Sequence, residues 1–286
     1  MVSFKDLTTK AYPNWCDGCG DFGMWNSLKM AIMQLNIDPK DILLVSGIGC
    51  SGKVPYWIKT YGYNGLHGRA VPVASGAKFA NHKLNVIVIG GDGDGYSEGG
   101  NHFVHGARRN IDICYIVHNN MVYGLTVGQT SPTSHHGYVS KSTPHGVIEL
   151  EINPIALAIA SGATFVARGF AGDMKHLTQL IVEGVKHKGF ALIDVLQPCV
   201  TFNHVNTYEF YAARVYKLDD DKSYKPDDKI AAFAKSYEWD SKIPIGIFYR
   251  EQRATYEDQL PQLKEKPLVE QDISNVDISK LMDEFS

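Results

Sequence analysis

The chain has 286 residues, of which 44% are hydrophobic and 21% are charged, and its formal net charge is -3. These values are ordinary for a globular protein that is large enough to bury one substantial core. The slightly acidic balance and the lack of a basic run exclude a nucleic-acid-binding surface. Apolar stretches such as residues 86–89 are far too short to cross a bilayer, and the N-terminus lacks the apolar region of a secretory signal. We therefore expect a cytoplasmic protein that binds neither membrane nor nucleic acid.

The N-terminal third predicts a loop, a helix and a strand. Residues 15–20, WCDGCG, are rich in glycine and predict a loop. Residues 22–35 carry apolar side chains at helical spacing, and residues 42–45 form a short apolar run that predicts a strand. Five glycines between positions 49 and 68 then predict a long irregular segment.

The middle third predicts a β-α-β unit. Residues 85–89, NVIVI, form a continuous apolar run that is typical of a strand buried on both faces of a parallel sheet. The run ends in GGDGDG, after which Ser97 is predicted to cap a helix that ends near Arg109. Residues 111–117 predict the next strand, which ends in HNN. Right-handed parallel pairing of the two strands is the expected arrangement.

The rest of the chain continues the alternation and then changes in composition. Residues 155–167 predict a helix and a short strand, and residues 174–196 predict another such pair. The fold class is therefore α/β, with a doubly wound, mainly parallel sheet. After residue 217 the chain is rich in Asp and Lys and contains four prolines. We expect an α/β domain at residues 1–217 and, at residues 218–286, a C-terminal extension that wraps the domain or a partner subunit.

Polar residues follow both strands of the β-α-β unit. Asp92 follows the first strand and Asn120 follows the second. Because parallel strands present their carboxyl ends at one edge of the sheet, these two side chains can converge. Together with the backbone carbonyl of Val122 they give three hard oxygen ligands, a set that suits Mg²⁺ bound to a diphosphate. The predicted helix start at Ser97 adds N–H donors for phosphate.

The GDG motif at residues 91–93 by itself favours an acidic turn, with the asparagines as a helix cap. The buried strand before it, the helix after it and the second strand ending in Asn-Asn favour a diphosphate site instead. The spacing resembles the thiamine-diphosphate motif, in which GDG is followed some two dozen residues later by asparagine.

Four of the five cysteines lie in predicted loops, whereas Cys114 lies in an apolar strand and is predicted to be a core residue. An odd number of cysteines without an export signal disfavours a disulfide framework. Four loop thiolates suit either zinc or a 4Fe–4S cluster, and their spacing does not choose between these. Thiamine chemistry on a 2-oxoacid leaves an electron-rich intermediate that a cluster, unlike zinc, can oxidise. We therefore expect the cluster.

Several long motifs in one order carry a family resemblance. WCDGCGDFG, SGIGCSGK, GGDGDGYSEGGNHFVHGARRN and PCVTFNHVNTYE resemble the beta subunit of 2-oxoacid:ferredoxin oxidoreductases. GLHGRAVPVASG and YGLTVGQTSPTS resemble the 2-oxoglutarate and broad-specificity branch of this family more than the pyruvate-only branch. The resemblance implies a thiamine-diphosphate-binding fold. It also implies coenzyme A-dependent oxidative decarboxylation of a 2-oxoacid, with electrons passed through the cluster to ferredoxin.

The resemblance further implies a partner: an alpha subunit, or an alpha and a gamma subunit, that carries the pyrimidine-binding domain. No second α/β domain that could face the diphosphate site is predicted in this chain, so the chain alone is expected to be inactive.

The resemblance also implies individual site residues in this sequence. The expected ligands of the 4Fe–4S cluster are Cys16, Cys19, Cys50 and Cys199. The expected Mg²⁺ ligands are Asp92, Asn120 and the Val122 carbonyl. The expected contacts of thiamine diphosphate are Ile48, Gly49, Cys50, Ser51, His67, Gly93, Asp94, Gly124 and Leu125. Three residues are candidates for catalysis. His67 is a candidate for contact with the cofactor or the substrate. Lys53 and Arg69 flank glycine-rich loops at the proposed site and are candidates for contact with the substrate carboxylate or coenzyme A.

Two other functions compete with this interpretation. A non-redox thiamine-dependent 2-oxoacid decarboxylase would use the same diphosphate site, with the cysteines binding structural zinc. A Cys₄ scaffold that binds a nucleotide or a partner would not depend on thiamine. The pairing of Asp92 and Asn120 at neighbouring strand ends speaks against the scaffold, which has no need of them.

Overall fold

The computed structural model describes residues 1–285, and its centre is an eight-stranded sheet. In chain order the strands are β1 (Ile42–Ser46), β2 (Tyr61–Asn64), β3 (Asn85–Gly91), β4 (Cys114–Asn119), β5 (Val122–Tyr123), β6 (Gln129–Thr130), β7 (Phe165–Phe170), β8 (Ala191–Leu196), β9 (Val215–Lys217) and β10 (Ile243–Arg250). Strands β5 and β6 form a separate antiparallel hairpin, and the other strands make up the central sheet.

Helices connect the strands and cover the sheet. They are α1 (Asp21–Leu35), α2 (Ala70–Ala80), α3 (Gly100–Arg109), α4 (Pro154–Ser161), α5 (Met174–Lys186), α6 (Tyr208–Ala212), α7 (Lys229–Lys235) and α8 (Ser279–Asp283). A π-helical turn at Gly93–Glu98 precedes α3. None of the helices within residues 1–285 combines the length and the apolar character needed to cross a membrane.

The sheet has the strand order β2-β1-β3-β4-β8-β7-β10-β9. From β2 to β7 in this order the neighbours pair in parallel, whereas β10 pairs antiparallel with β7 and parallel with β9. The predicted α/β class with a mainly parallel, doubly wound sheet is therefore confirmed. Strand β10 therefore runs opposite to β7, and β10 and β9 form the end of the sheet that lies away from β2.

Both faces of the central strands are buried, which explains why their sequences are mostly apolar. Along β3, Ile87 and Ile89 pack into the apolar cluster formed with α1 and α5. Val86 and Val88, on the opposite face, pack into the cluster formed with α2, α3 and α4. Each fully buried Val or Ile side chain contributes roughly 1.5–3 kcal/mol to folding. The packing on both faces therefore stabilises the central strands, whose ends position the site.

Three local predictions from the sequence are wrong. The segment between Gly49 and Gly68 is not all irregular, since it contains β2 and a 3₁₀ helix at Ser51–Tyr56. The strand predicted at residues 111–117 begins only at Cys114. Ser97 does not cap a helix, because it lies inside the π-helical turn, and the N-cap of α3 is Gly99.

The segment after residue 217 contributes to the central sheet. Ile243, Ile245 and Phe248 of β10 are buried, and this strand lies between β7 and β9. Beyond β10 the chain runs along the domain, where the side-chain amide of Asn110 donates to the carbonyls of residues 253 and 254. The division of the chain at residue 217 stays a prediction.

Candidate active site

Loops that follow four strands meet at one edge of the sheet. The parallel pairing places Ser46 of β1 beside Ile89 of β3, and Asn119 of β4 beside Leu196 of β8. The chain leaving β1, β3, β4 and β8 therefore emerges at the same edge, which is where open α/β sheets bind ligands. Most of the predicted site residues lie in these four loops, whereas Cys16 and Cys19 precede α1, and His67 and Arg69 follow β2.

A cavity of about 70 Å³, here called the diphosphate cavity, lies between the loops that follow β1, β3 and β4. Its lining includes every predicted contact of thiamine diphosphate and all three predicted Mg²⁺ ligands: Ile48, Gly49, Cys50, Ser51, His67, Asp92, Gly93, Asp94, Asn120, Val122, Gly124 and Leu125. The topology thus brings together residues that are up to 77 positions apart in sequence (48 to 125). His118 and Tyr123 line the same cavity and were not predicted.

Asp92 is the first residue after β3, and its carboxylate is almost completely buried. The hydroxyls of Ser131 and Thr133 donate to its Oδ2 over 2.5 Å and 2.7 Å, and the backbone N–H of Asn120 donates to its Oδ1 over 3.4 Å. Burial raises the pKa of Asp92, and these hydrogen bonds offset only part of the rise. A bound cation would lower the pKa of this buried carboxyl group and so favour its ionised form.

Asn120 is the first residue after β4, and both ends of its side-chain amide are held. Its Nδ2 donates to Oε1 of Gln197 over 2.9 Å, and its Oδ1 accepts from the backbone N–H of Val122 over 3.1 Å. The amide oxygen therefore lies on the side of Val122, whose carbonyl is the third predicted Mg²⁺ ligand. The donor set of carboxylate, amide and backbone carbonyl oxygens fits Mg²⁺ chemically.

The carboxylate of Asp94 connects the loops that follow β1, β2 and β3. It accepts from the backbone N–H groups of Ile48, over 2.9 Å, and Gly68, over 2.8 Å. Nδ1 of His67 lies 3.2 Å from the same oxygen. Burial raises the pKa of Asp94, although these donors oppose the rise. Besides lining the cavity, Asp94 therefore fixes the backbone of two neighbouring loops.

Three polar atoms of the diphosphate cavity are buried without a hydrogen-bond partner among residues 1–285. They are the hydroxyl oxygen of Ser51, Nδ1 of His67 and Oδ2 of Asp94. Most buried polar atoms in proteins are satisfied, so such atoms in a cavity point to a ligand with polar groups. The π-helical turn that begins at Gly93 adds unpaired backbone N–H groups, which favour an anion such as a phosphate.

A second cavity of about 190 Å³, here called the cysteine cavity, adjoins the first. Its lining includes all four cysteines predicted as cluster ligands: Cys16, Cys19, Cys50 and Cys199. Cys50, Asn120, Gly124 and Leu125 line both cavities. A Cβ atom on Gly124 would lie 3.7 Å from the sulfur atoms of both Cys50 and Cys199, so the glycine keeps the space between these two thiols open.

The four thiols surround this space rather than a single point. Among residues 1–285, no group of three or more His, Cys, Asp and Glu side chains is arranged to hold one metal ion directly. Burial raises the pKa of Cys50 to about 12 and also raises the pKa of Cys19 and Cys199. Without a positively charged group between them these cysteines are therefore neutral thiols, and a metal centre would convert them to thiolates.

A buried carboxylate–imidazole pair lies between the cavities. Oδ1 of Asp21 lies 2.5 Å from Nδ1 of His118, and its Oδ2 lies 3.5 Å from the sulfur of Cys19. His118 lines the diphosphate cavity, whereas Asp21 lines the cysteine cavity. Spacing alone could not predict this pair, because 97 residues separate its members.

The predicted catalytic candidates lie in different places. His67 lines the diphosphate cavity, and Lys53 lines the cysteine cavity, where its Nζ lies 3.3 Å from Oδ1 of Asn14. Arg69 lies outside both linings and donates to the backbone carbonyl of Glu98 over 3.0 Å. Cys114 is buried in β4, as predicted for a core residue.

An acidic side chain and an asparagine at neighbouring ends of parallel strands, beside unpaired N–H groups, define the diphosphate-binding half of a thiamine-diphosphate enzyme. Comparison with protein families agrees with this class. The thiamine pyrophosphate enzyme C-terminal TPP binding domain matches residues 47–195, and the C-terminal region of the pyruvate ferredoxin oxidoreductase beta subunit matches residues 199–265. The chain thus carries a thiamine-diphosphate-binding domain.

The similar proteins define the family more narrowly. The 2-oxoacid:ferredoxin oxidoreductase subunit beta of Saccharolobus solfataricus is 53% identical over 261 residues, which cover 87% of this chain and 86% of that one. The 2-oxoacid:ferredoxin oxidoreductase 1 subunit beta of Aeropyrum pernix is 46% identical over 294 residues, which cover 97% and 92%. The chain belongs to the family of 2-oxoacid:ferredoxin oxidoreductase beta subunits.

A solved structure resembles the whole described fold. It is the 2-oxoglutarate:ferredoxin oxidoreductase from Magnetococcus marinus with 2-oxoglutarate, coenzyme A and succinyl-CoA bound. The TM-score is 0.92 at 36% sequence identity, and the match covers 100% of this chain and 96% of that one. The resemblance drawn from the sequence motifs is therefore confirmed. The non-redox decarboxylase and the thiamine-independent scaffold are both disfavoured.

Gly47, in the loop after β1, is expected to be essential for the shape of the diphosphate cavity. A Cβ atom on Gly47 would overlap the carboxylate of Asp94. We expect Gly47→Ala to lower the free energy of unfolding by roughly 1–3 kcal/mol and to weaken thiamine diphosphate binding, because Asp94 must move and release its two loops. Urea unfolding and calorimetric titration with the cofactor measure the two effects.

Gly76 provides the matched control for this substitution. It lies in α2, and a Cβ atom there would have no heavy atom within 4 Å. Gly76→Ala is expected to raise stability by roughly 0.5–1 kcal/mol and to leave cofactor binding unchanged. Equal cofactor affinities for the two variants would show that Asp94 does not hold the cavity in shape.

Proposed function

We propose that this chain, together with its partner subunit, catalyses the coenzyme A-dependent oxidative decarboxylation of a 2-oxoacid to acyl-CoA and CO₂. In this proposal the electrons pass through a 4Fe–4S cluster held by this chain to ferredoxin. The observation that carries the proposal is the shared wall of the two cavities, to which Cys50 and Gly124 both belong. A cofactor in one cavity and a cluster in the other would lie side by side.

The residues of the diphosphate cavity support a Mg²⁺-diphosphate group. Asp92, Asn120 and the Val122 carbonyl would bind the cation, and the Ser51 hydroxyl would donate to a phosphate oxygen. Bound thiamine diphosphate supplies the carbon chemistry that removes CO₂ from a 2-oxoacid. The protein contributes binding and orientation. Asp94 fixes the start of the loop that carries Ser51. Hydrogen bonds from Ser131 and Thr133 hold Asp92, and the hydrogen bond to Gln197 holds Asn120.

The cysteine cavity supports a cluster rather than zinc. A structural zinc ion requires four sulfur atoms about 2.3 Å from a single point. Cys16, Cys19, Cys50 and Cys199 instead line a space of about 190 Å³. A cluster also suits the family, whose members are oxidoreductases, since it can accept single electrons. Clustered free thiols of this kind persist in a reducing compartment, which supports the expected cytoplasmic location.

Exposed apolar side chains near the two cavities support a partner subunit. Leu125 lines both cavities, Val127 lines the cysteine cavity and Leu66 precedes His67 in the chain. These side chains expose 47%, 60% and 76% of their surface. Exposed apolar side chains beside a cofactor site are typical of a surface that another chain covers. As a beta subunit the chain requires a partner, and we propose an alpha subunit, or an alpha and a gamma subunit, that brings the pyrimidine-binding domain.

The substrate belongs to the 2-oxoacids, and we propose 2-oxoglutarate, pyruvate or a similar acid. His67 is placed to contact the substrate or the cofactor, because it lines the diphosphate cavity. We keep Lys53 and Arg69 as candidates for the substrate carboxylate or coenzyme A. A comparison of rates with 2-oxoglutarate, pyruvate and 2-oxobutyrate would rank the substrates.

An anaerobic visible spectrum of the complex of this chain with its partner tests the proposal. We expect the broad absorption of thiolate-bound iron, and we expect it to bleach when 2-oxoacid and coenzyme A are added. The control is the same complex without thiamine diphosphate, which should stay coloured and should not bleach. A colourless, zinc-containing complex would contradict the cluster and leave only the thiamine site.

A further inference from the structure

The side chain of Gln197 lies between the two cavities and belongs to the lining of neither. It is the first residue after β8, is 1% exposed, and its backbone N–H donates to the Asn119 carbonyl over 3.0 Å. Its Oε1 accepts from Nδ2 of Asn120 over 2.9 Å, and its Nε2 donates to the sulfur of Cys19 over 3.4 Å. One amide group therefore joins a candidate Mg²⁺ ligand to a candidate cluster ligand.

The contact with Asn120 fixes which end of the Asn120 amide can bind a cation. Because Nδ2 of Asn120 is held by the oxygen of Gln197, Oδ1 is the end left on the side of Val122. A rotated amide would present N–H groups to the cation and could not bind it. Hydrogen bonds that orient a ligand in this way are a large part of metal affinity.

The contact with Cys19 places a neutral N–H donor on a buried sulfur. Cys19 has the carboxylate of Asp21 nearby, which disfavours a thiolate. Hydrogen bonds to cluster sulfurs are among the features that set the reduction potential of a cluster, because they stabilise its more negative, reduced form. The N–H group of Gln197 is therefore expected to make that potential less negative.

The packing around Gln197 leaves its side chain little freedom. A Cβ atom on Gly20 would lie 2.8 Å from Cγ of Gln197, so the cysteine loop can pack directly on this side chain only because residue 20 is glycine. Nε2 of Gln197 also donates to the Pro198 carbonyl over 2.8 Å, and the Gly20 N–H donates to the same carbonyl over 3.1 Å. The conformation that bridges Asn120 and Cys19 is thus fixed by neighbours on both sides.

We propose that Gln197 is a positioning residue that acts on both centres, orienting Asn120 for Mg²⁺ and tuning the cluster through Cys19. This inference rests on the proposed Mg²⁺ and cluster sites. It adds a single physical connection between them, so that one substitution changes cation affinity and reduction potential together.

The test compares two variants of the holo complex with the wild type. Gln197→Leu removes the hydrogen bonds to Asn120 and Cys19, together with the one to the Pro198 carbonyl. We expect Mg²⁺-dependent thiamine diphosphate affinity to fall about 10–100-fold. We also expect the ratio of reduced to oxidised cluster at the wild-type midpoint to fall about tenfold, which is 59 mV for one electron. Gln197→Glu is studied at about pH 10, because burial can raise the pKa of a glutamic acid to about 8–9. Its ionised carboxylate keeps an oxygen toward Asn120 and lacks the N–H donor. We expect it to lower the potential and to retain Mg²⁺ affinity.

Calorimetry measures the affinity, and a redox titration followed by electron paramagnetic resonance measures the potential. Thr178→Ala is the control for the loss of a buried hydrogen bond, because the Thr178 hydroxyl bonds only the Met174 carbonyl within α5. This variant should change neither quantity. An iron-free wild-type complex would overturn the cluster and this inference with it. A wild-type cluster whose potential is unchanged in both Gln197 variants would overturn this inference alone.

A measurement on the wild type covers the case in which the variants do not assemble. Labelling glutamine side chains with ¹⁵N should give a nitrogen hyperfine coupling to the reduced cluster, because the Gln197 amide donates to Cys19. A reduced cluster without any coupling to glutamine nitrogen would overturn the inference.

Discussion

Cys199→Ala is expected to remove the iron from the complex and to abolish 2-oxoacid-dependent ferredoxin reduction. Loss of a group that merely orients a metal ligand costs about 10–100-fold, so the loss of a ligand should cost more than a hundredfold. Cys199 is buried beside the backbone N–H groups of Thr201, Phe202 and Asn203. Burial raises the pKa of Cys199, and these N–H groups oppose the rise, which prepares the sulfur to be a thiolate ligand. Iron analysis and anaerobic assays of ferredoxin reduction provide the measurements.

Thiamine diphosphate binding should survive in Cys199→Ala, because Cys199 does not line the diphosphate cavity. Cys114→Ala is the matched control, since Cys114 is also buried but lies within β4. The control should retain iron and activity and lose about 1 kcal/mol of stability through the small cavity that it creates. Full activity in Cys199→Ala, or loss of iron in Cys114→Ala, would refute the assignment of the cluster ligands.

The sequence predicts the centre of the fold because the central strands are buried on both faces. Strand β3 contains an apolar run, and strand β8 is apolar except for Asp194; short runs of this kind bounded by glycine favour buried strands. Once these strands are taken as parallel, Asp92 and Asn120 must emerge at the same edge. The same reasoning brings Cys199, after β8, towards Cys50, after β1.

The elements between β1 and β3 could not be predicted in this way. Strand β2 lies at the edge of the sheet, and all four of its residues are exposed, so it has no apolar alternation. Helix α2 contains Pro72 and Gly76, two residue types that by local pattern predict an interruption of a helix. Pro72 is tolerated because it lies in the first turn, where its nitrogen needs no hydrogen bond within the helix.

The polar residues behind the site could not be predicted from spacing either. Ser131 and Thr133 reach Asp92 because the β5–β6 hairpin turns the chain back, with Val122 paired to Thr130. Gln197 reaches Cys19 across 178 positions. Such contacts depend on how loops pack after the sheet has formed. The local pattern around Ser97 was misleading for the same reason, since the helical turn begins directly after Asp92.

Asp92→Asn is expected to lower Mg²⁺-dependent affinity for thiamine diphosphate by about a hundredfold or more, because it removes the only candidate cation ligand with a negative charge. The apoprotein should lose little stability at neutral pH. Burial raises the pKa of Asp92, so its ionisation costs folding free energy as pH rises, and a neutral amide does not incur that cost. Calorimetric titration with the cofactor and Mg²⁺, together with urea unfolding of the apoprotein, measures both quantities.

Asp112→Asn is the matched control. The ionised carboxylate of Asp112 stabilises the fold, whereas that of Asp92 destabilises it. Burial opposes the charge of Asp112, but Lys78 at 2.8 Å and Lys188 at 3.2 Å outweigh it and lower the pKa of this carboxyl. A lowered pKa means that the charge stabilises the fold above the unfolded pKa, and that this stability is lost as pH falls. Asp112→Asn should therefore lower stability by roughly 1–3 kcal/mol and leave cofactor affinity intact. If both variants lost stability and kept cofactor affinity, Asp92 would belong with Asp112 as a structural residue.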